Sequence, residues 1–357
     1  MKVAILGIGG MGETVIEHLK DLTNIQVKTF DIQSEKVSAL KSRGIDATDR
    51  LDEIINDKEI PLVFVTASND AHYELTMRSL QAGKAVMCEK PMALTLSDAQ
   101  KMVDVSKNCK SFLQIGFELR YSKLYTRMKE WIDAGLIGKV VNTNCYYIAC
   151  AWEKDIWRIK KGPCGGMFGE KLSHYVDLPR WWIGSDVTDV FSCSAPNTVP
   201  YFEIRDNYHT TYRFSNGAVS HLTFMMGPAA HFVGDPLQDM VTQQIGDGHY
   251  LKYLVVGDKG AIEAEVFGRT LRRWEFSDSP DYMISSLVEE LTWDSSEDHY
   301  YFHNTHDQTL DIINRVEKGL PPKTSASDAL ETMKLCFAAE KSSDTGKLVQ
   351  LNDIGAV

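Results

Sequence analysis

The chain has 357 residues, 43% of them hydrophobic, and a formal net charge of −11 at pH 7. That length exceeds one ordinary core and calls for two domains, while the acidic balance argues against a general nucleic-acid surface. No apolar run approaches the roughly 20 residues of a membrane span, so no membrane partner is expected.

The opening MKVAILG reads as a strand and not as a signal peptide, and the seven cysteines contain no CxxC. Reduced thiols in a cytoplasmic protein are therefore expected, and Cys164 reads as a small buried filler. Val3–Leu6 is an apolar strand followed by a glycine-rich turn and a helix to about Lys20. A second strand, Val27–Phe30, ends at Asp31. SEKVSALKSRG reads as a helix capped by Ser34 and stopped by Gly44. PLVFVTA is a buried strand, and DAHYELTMRSLQAGK is an amphipathic helix closed by Gly83. Then come a strand to Cys88, a turn at Glu89-Lys90-Pro91, a helix with Ser97 as its cap, and the strand SFLQIGFE. Continuous apolar strands alternating with helices predict a parallel sheet covered on both faces.

After about Arg120 the pattern changes. LYTRMKEWIDAGLIG is a helix, and strand-like segments then crowd together, with SNG and GDKG as turns between them. These predict an α+β domain with a large, mostly antiparallel open sheet. SASDALETMKLCFAAEKSSDTG closes the pattern as a helix.

GIGGMG sets Gly7, Gly9 and Gly12 in the GxGxxG spacing, after a strand and at the start of a helix, and Asp31 ends the next strand. The first glycine permits the tight turn, the second lets backbone approach a pyrophosphate, and the third allows close helix–strand packing. The first helical amides, at Gly10 and Met11, complete a phosphate site. Asp31 would accept bonds from the adenosine ribose hydroxyls and repel a 2′-phosphate, and no arginine follows in DIQSEK. NAD is expected, in preference to NADP. The fold class is thus α/β, with a Rossmann dinucleotide-binding domain at 1–120 and a substrate-binding and oligomerisation domain at 121–357, whose terminal helix at about 326–343 packs back on the first.

With AGKAVMCEKPMALT, QIGFELRY, GGMFGEKLSHYVDLPRWWIGS, NGAVSHL and GDKGAIE, the order of features resembles the glucose–fructose oxidoreductase / inositol dehydrogenase family (Gfo/Idh/MocA) along essentially the whole chain. The resemblance implies that Lys90, with Glu89 beside it, lies at the nicotinamide end of the cofactor cleft and contacts the substrate hydroxyl, with Pro91 fixing the turn. It also implies a catalytic helix, on which His174 is the candidate general acid/base. Members commonly carry an aspartate four residues before that histidine. Here the residue is Glu170, followed by Lys171, and three readings are open for it: binding a sugar hydroxyl, pairing with Lys171, or orienting His174. Glu170, His174 and Asp177 share a helix face, with Asp177 read as structural, and Pro179 should kink or restart that helix.

Gly165 and Gly166 would let the chain pass close to cofactor or substrate. For Arg120, beside Tyr121 where the domains join, substrate contact and an interdomain ion pair are equal readings, and Tyr121, Trp157 and Lys171 are further candidate substrate contacts. Trp152, Trp157 and Arg158 precede the catalytic helix, where aromatic faces suit a sugar ring but tryptophans are more often core. In HYYFHNTHD a helix would bring His299, His303 and His306 to one face. The sequence marks no helix there and spacing alone is a weak metal signal, so no metal is expected.

The implied function is an NAD-dependent oxidoreductase moving a hydride between nicotinamide and a hydroxyl-bearing carbon of a sugar, polyol or sugar derivative. The assembly implied is a homodimer or homotetramer. Two alternatives stand: an NAD-using glycoside-cleaving enzyme that oxidises its sugar transiently, and a non-catalytic NAD-binding regulator.

Overall fold

A computed structural model describes residues 1–229 and 249–354. The chain divides into two compact units. The first takes Met1–Glu118 together with Gly162–Gly165 and Thr305–Met333, and the second takes Leu119–Lys161, Gly166–Asn304 and Lys334–Val357.

The first unit holds six strands: β1 (Lys2–Leu6), β2 (Gln26–Phe30), β3 (Asp46–Thr48), β4 (Leu62–Val65), β5 (Ala85–Glu89) and β6 (Leu113–Gly116). All pair in parallel, in the order β3-β2-β1-β4-β5-β6. The strands are apolar throughout because both faces are covered, and all four residues of β4 are buried. Val3, Ile5, Leu62, Phe64 and Met87 pack with Val15, Leu19 and Leu40 of the crossover helices. Ile312 and Ile313 join this core from the helix Thr305–Glu317, which packs on the helix Gly10–Leu19. The strand order reverses between β1 and β4, and in such sheets the crevice at that point receives ligands.

Two helix caps differ from expectation. Ser34 is the first helical residue, and Gln33 stands at the cap position without a side-chain bond, its backbone amide donating to Asp31 at 2.9 Å. Thr95, not Ser97, caps the helix Leu96–Asn108, accepting from the Asp98 amide at 3.1 Å.

Among its described residues the second unit has nine strands: β7 (Val140–Cys150), β8 (Val187–Cys193), β9 (Asn207–Phe214), β10 (Val219–Ala229), β11 (Tyr250–Gly257), β12 (Gly260–Glu265), β13 (Thr270–Ser277), β14 (Ile284–Thr292) and β15 (Val349–Gln350). Their order is β14-β13-β12-β11-β7-β10-β9-β8-β15, antiparallel except for the central β7–β10 pair. Burial alternates along β9 and β11, as a sheet with one packed face requires. An aromatic layer forms on that face: Tyr147 and Tyr253 of the sheet meet Tyr175 at 4.9 and 6.3 Å between ring centroids, and Tyr253 meets Trp182 edge-on at 5.2 Å. Tyr175 and Trp182 belong to the helix Ser173–Ile183, so this layer sets the helix on the sheet.

That helix runs through Pro179 to Ile183 without restarting. Proline removes one amide bond, while Tyr175, Val176, Leu178 and Trp182 are all buried and hold the element together. Among the described residues, no helix is long and apolar enough to cross a membrane.

Candidate functional site

In the first unit, backbone geometry explains the glycines. Gly7 has φ +94°, its amide donates to Phe30 O at 2.8 Å, and a Cβ there would run into the backbone of Ala67. A Cβ on Gly12 would strike Gly7 O. Gly9 and Gly10, in contrast, face open space with no atom within 4 Å of a would-be Cβ. The first and third glycines of the motif thus serve packing, and the second leaves room for a phosphate at the start of the helix Gly10–Leu19. These features fit a dinucleotide.

Asp31 is 6% exposed. Its carboxylate accepts from the amides of Ile8 at 2.8 Å and Gln33 at 2.9 Å, and the Lys36 ammonium lies 3.5 Å away. It therefore ties the glycine turn to the end of β2. Lys36 is a cation that the absence of an arginine in DIQSEK did not reveal.

Glu89 ends β5 and is buried, and Oε2 accepts from the Lys90 amide at 3.2 Å. Gly116 on β6 makes room for that carboxylate, since a Cβ there would lie 2.8 Å from Oε2. The Lys90-Pro91 peptide is cis. Below the turn stands a residue that sequence reasoning passed over. His72 is 1% exposed, with Nδ1 2.7 Å from Pro91 O and Nε2 3.0 Å from Ala67 O. It spans from the lysine turn to the segment against which Gly7 packs. The signal available was a histidine on the buried face of an amphipathic helix directly after a core strand. The segment Gly162–Gly165 packs on this unit: Asn69 Nδ2 donates to Cys164 O at 3.1 Å, and Gly165, at φ +82°, leaves space filled by Leu94.

In the second unit, Phe168–Leu172 forms a π-helical turn leading into the helix Ser173–Ile183. Such turns displace side chains from the regular ladder and are frequent at functional sites. The turn carries Glu170 and Lys171, and the helix carries His174 and Asp177. Glu170 is buried, and Oε1 lies 2.9 Å from Arg158 Nε. Its partner is thus Arg158 and not Lys171. The Lys171 ammonium instead sits 5.1 Å from the ring centroid of Tyr147 and 5.5 Å from that of Trp152. The Arg158 guanidinium lies 5.7 Å from the Trp152 centroid and 5.6 Å from that of Trp157. His174 is buried, with the His303 ring edge-on at 6.2 Å.

Arg120 donates to both carboxylate oxygens of Asp177, at 2.7 and 2.6 Å, and both residues are buried. This pair lies within the second unit and ties the guanidinium to the helix carrying His174. Tyr121 is buried, its carbonyl accepting from Asn304 Nδ2 at 3.1 Å. Glu340, also missed, accepts from the Tyr208 hydroxyl at 2.6 Å and the Phe168 amide at 3.2 Å, and it fills the space left by Gly166. Burial raises its carboxyl above the usual carboxylate range. It anchors the start of the π-helical turn.

The three histidines do not share a helix. His299 lies in the short helix Asp298–Tyr301, His303 follows it, and His306 lies in Thr305–Glu317, edge-on to His18 at 5.2 Å. Phe302 breaks the run with φ −114° and ψ −86°. Among the described residues, no group of three or more His, Cys, Asp or Glu could hold a metal ion.

Comparison with known proteins shows two family matches. Residues 1–117 match the model of an oxidoreductase family with an NAD-binding Rossmann fold, and residues 125–263 match the GFO/IDH/MocA C-terminal domain. The chain is 29% identical to an inositol 2-dehydrogenase of Salmonella typhimurium, covering 97% of this chain and 95% of that one. It is 25% identical to a myo-inositol 2-dehydrogenase of Thermotoga maritima over 99% of both. A levoglucosan dehydrogenase solved with NADH and levoglucosan has the same fold, with a TM-score of 0.78 at 21% identity over 98% of this chain and 99% of that one.

Proposed function

This chain belongs to the GFO/IDH/MocA family of NAD-binding oxidoreductases, and from that premise we propose that it oxidises one hydroxyl-bearing carbon of a sugar, polyol or sugar derivative. Bound NAD supplies the hydride acceptor, nicotinamide C4. Gly9, Gly10 and Met11 would hold its pyrophosphate and Asp31 its adenosine ribose. Lys90 takes the proton of the substrate hydroxyl as hydride leaves the same carbon, and His174 shares in that proton transfer. Buried Glu89 holds the Lys90 amide and so aims the turn.

The observation that carries this reading is the placement of Lys90 at the end of β5, in the same unit and sheet as the glycine turn and Asp31. The names of the full-length relatives support a polyol as the first substrate to try. Lys90→Ala and His174→Ala should each lower turnover by roughly 100-fold or more, the scale of general acid–base groups, with NAD affinity little changed. Near-wild-type turnover in both variants would place the chemistry elsewhere. Net NADH formation during the assay separates a dehydrogenase from an enzyme that regenerates NAD in each turnover.

The second unit's sheet also supports self-association. Val141, Tyr146, Phe191 and Tyr250 stand exposed on its strands, with Tyr146 edge-on to Tyr250 at 5.6 Å. Pairing such faces about a two-fold axis would bury them. Light scattering should read a dimer or tetramer, and a mass near the 40.2 kDa of one chain at high concentration refutes it.

A further inference from the structure

Beside Glu170 the second unit carries a cluster that the proton chemistry does not use. Tyr147, Trp152, Trp157, Arg158 and Lys171 converge around the π-helical turn, and their charges do not balance. Arg158 is matched by buried Glu170 at 2.9 Å. Among the described residues, no carboxylate lies within 4.0 Å of the Lys171 ammonium, which has only the rings of Tyr147 and Trp152 beside it. One net positive charge remains, in a chain whose overall charge is −11. Field from the whole protein therefore does not explain it.

The aromatic rings do not offer a bare platform either. Phe202 stacks on Trp152 at 6.0 Å with an interplanar angle of 24°, and two cations lie against the same indole. What the cluster presents is the ammonium of half-buried Lys171. A cation held against aromatic faces, partly withdrawn from water and lacking a counter-ion, attracts an anion far more strongly than a solvated surface lysine does. Its place on the chain is also specific. Lys171 precedes His174 by three residues, about one turn along the continuous π-to-α segment, so its ammonium serves the same end of the element as the acid/base candidate.

We propose that Lys171 binds an anionic substituent, a carboxylate or a phosphate, on the sugar that this enzyme oxidises. This rests on the dehydrogenase reading above and narrows its substrate class from neutral polyols to acidic sugars. A ring carrying one acid group supplies the charge the cluster lacks, and its hydroxyls remain for the proton chemistry proposed above. No electron or proton balance changes: the acid group is a handle and the oxidised carbon is elsewhere on the ring.

The test uses matched pairs of probes: glucuronate with glucose, galacturonate with galactose, and glucose 6-phosphate with glucose. Myo-inositol serves as a further neutral compound. NADH formation is followed at saturating NAD with the wild type, Lys171→Met and Lys171→Arg. Methionine keeps an unbranched stem against Tyr147 and Trp152 while removing the charge, and arginine keeps the charge. The wild type should prefer the acid of at least one pair by roughly 10- to 100-fold in kcat/KM, the scale of a hydrogen bond to a charged group. Lys171→Met should collapse that ratio, mainly through KM, and Lys171→Arg should restore much of it. The uronate and phosphate arms identify which anion is used.

Preference for the neutral member of every pair, or an acid-to-neutral ratio unchanged in Lys171→Met, overturns the proposal and leaves the dehydrogenase reading intact. Calorimetric titration of the NADH-loaded protein with the same probes reads binding without turnover. Acid binding that depends on Lys171, with no oxidation of any probe, would uphold the anion site and count against the dehydrogenase reading. Absence of acid binding by the wild type overturns the anion site whatever the kinetics show.

Discussion

His72→Leu is the sharpest probe of how the first unit aims Lys90. The substitution keeps an apolar side chain in a site where the imidazole is 1% exposed, and removes both ring nitrogens. The contact to Pro91 O at 2.7 Å is buried, and leaving a buried acceptor without this donor costs about 1–3 kcal/mol. The Nε2 contact to Ala67 O at 3.0 Å is partly buried, and since a neutral imidazole carries one N–H and both partners are acceptors, only one of the two contacts counts as a donated bond. The change should destabilise the first unit by about 1–3 kcal/mol, a sizeable share of the ~5–15 kcal/mol typical of a native domain. Urea unfolding followed by circular dichroism reads it, while tryptophan fluorescence follows the second unit, which carries all seven tryptophans, and separate transitions are fitted if the two probes do not coincide.

Function should respond separately from stability. Pro91 neighbours Lys90, and a displacement near 1 Å at a catalytic group costs up to about 100-fold in rate. In folded His72→Leu, kcat should fall at least about 10-fold while KM for NAD moves little. His72→Asn, which keeps a donor near the Nδ1 position, should recover much of kcat. A stability loss below about 0.5 kcal/mol with unchanged kcat refutes the reasoning. So does a loss of kcat that asparagine fails to relieve at all.

Three further outcomes follow from named contacts. Asp31→Ala should weaken NAD and relax its discrimination against NADP, with Lys36, now without its carboxylate 3.5 Å away, available to a 2′-phosphate; fluorescence titration with NADH and NADPH checks it, and an unchanged affinity ratio defeats the assignment. Arg120→Met should destabilise the second unit by about 3–5 kcal/mol, because it removes the bidentate cation of buried Asp177, whereas Arg120→Met with Asp177→Leu should be far milder; equal losses in denaturant unfolding would count against a buried pair. Glu340 binds its proton more tightly folded than unfolded, so the folded state holds more protons and stability falls as pH rises from the unfolded carboxyl range through the raised folded value. Glu340→Gln should flatten that slope, comparing better with the wild type at pH 8 than at pH 5 in urea titrations, and parallel pH profiles would refute this.

What could be read from the chain alone was local or periodic. Gly7 at φ +94° and Gly12 against Gly7 O answer to the geometry of a single turn, so their spacing marks the nucleotide loop, although the Ala67 backbone that also excludes a Cβ at Gly7 comes from a distant segment. The apolar strands of the first unit follow from burial on both faces, a property of each segment by itself, and its parallel sheet was expected on that ground. The second unit's sheet was legible as a mostly antiparallel array. Which strands pair at its centre was not, and the parallel β7–β10 contact joins segments far apart in sequence.

Partner choice was the part that tertiary structure decided. Asp177 is matched to Arg120 across 57 positions, His72 to Pro91 across 19, and Glu340 to Phe168 across 172. Glu170 takes Arg158 although Lys171 is its neighbour in the chain. Adjacent residues on a helix point to different faces, so proximity in sequence is a poor guide to ion pairing. The helix Thr305–Glu317, whose Ile312 and Ile313 complete the first unit's core, went unread for the same reason. Its apolar stripe acquires meaning only when the fold brings it against the helix Gly10–Leu19, because burial is a property of the packed chain and not of the segment.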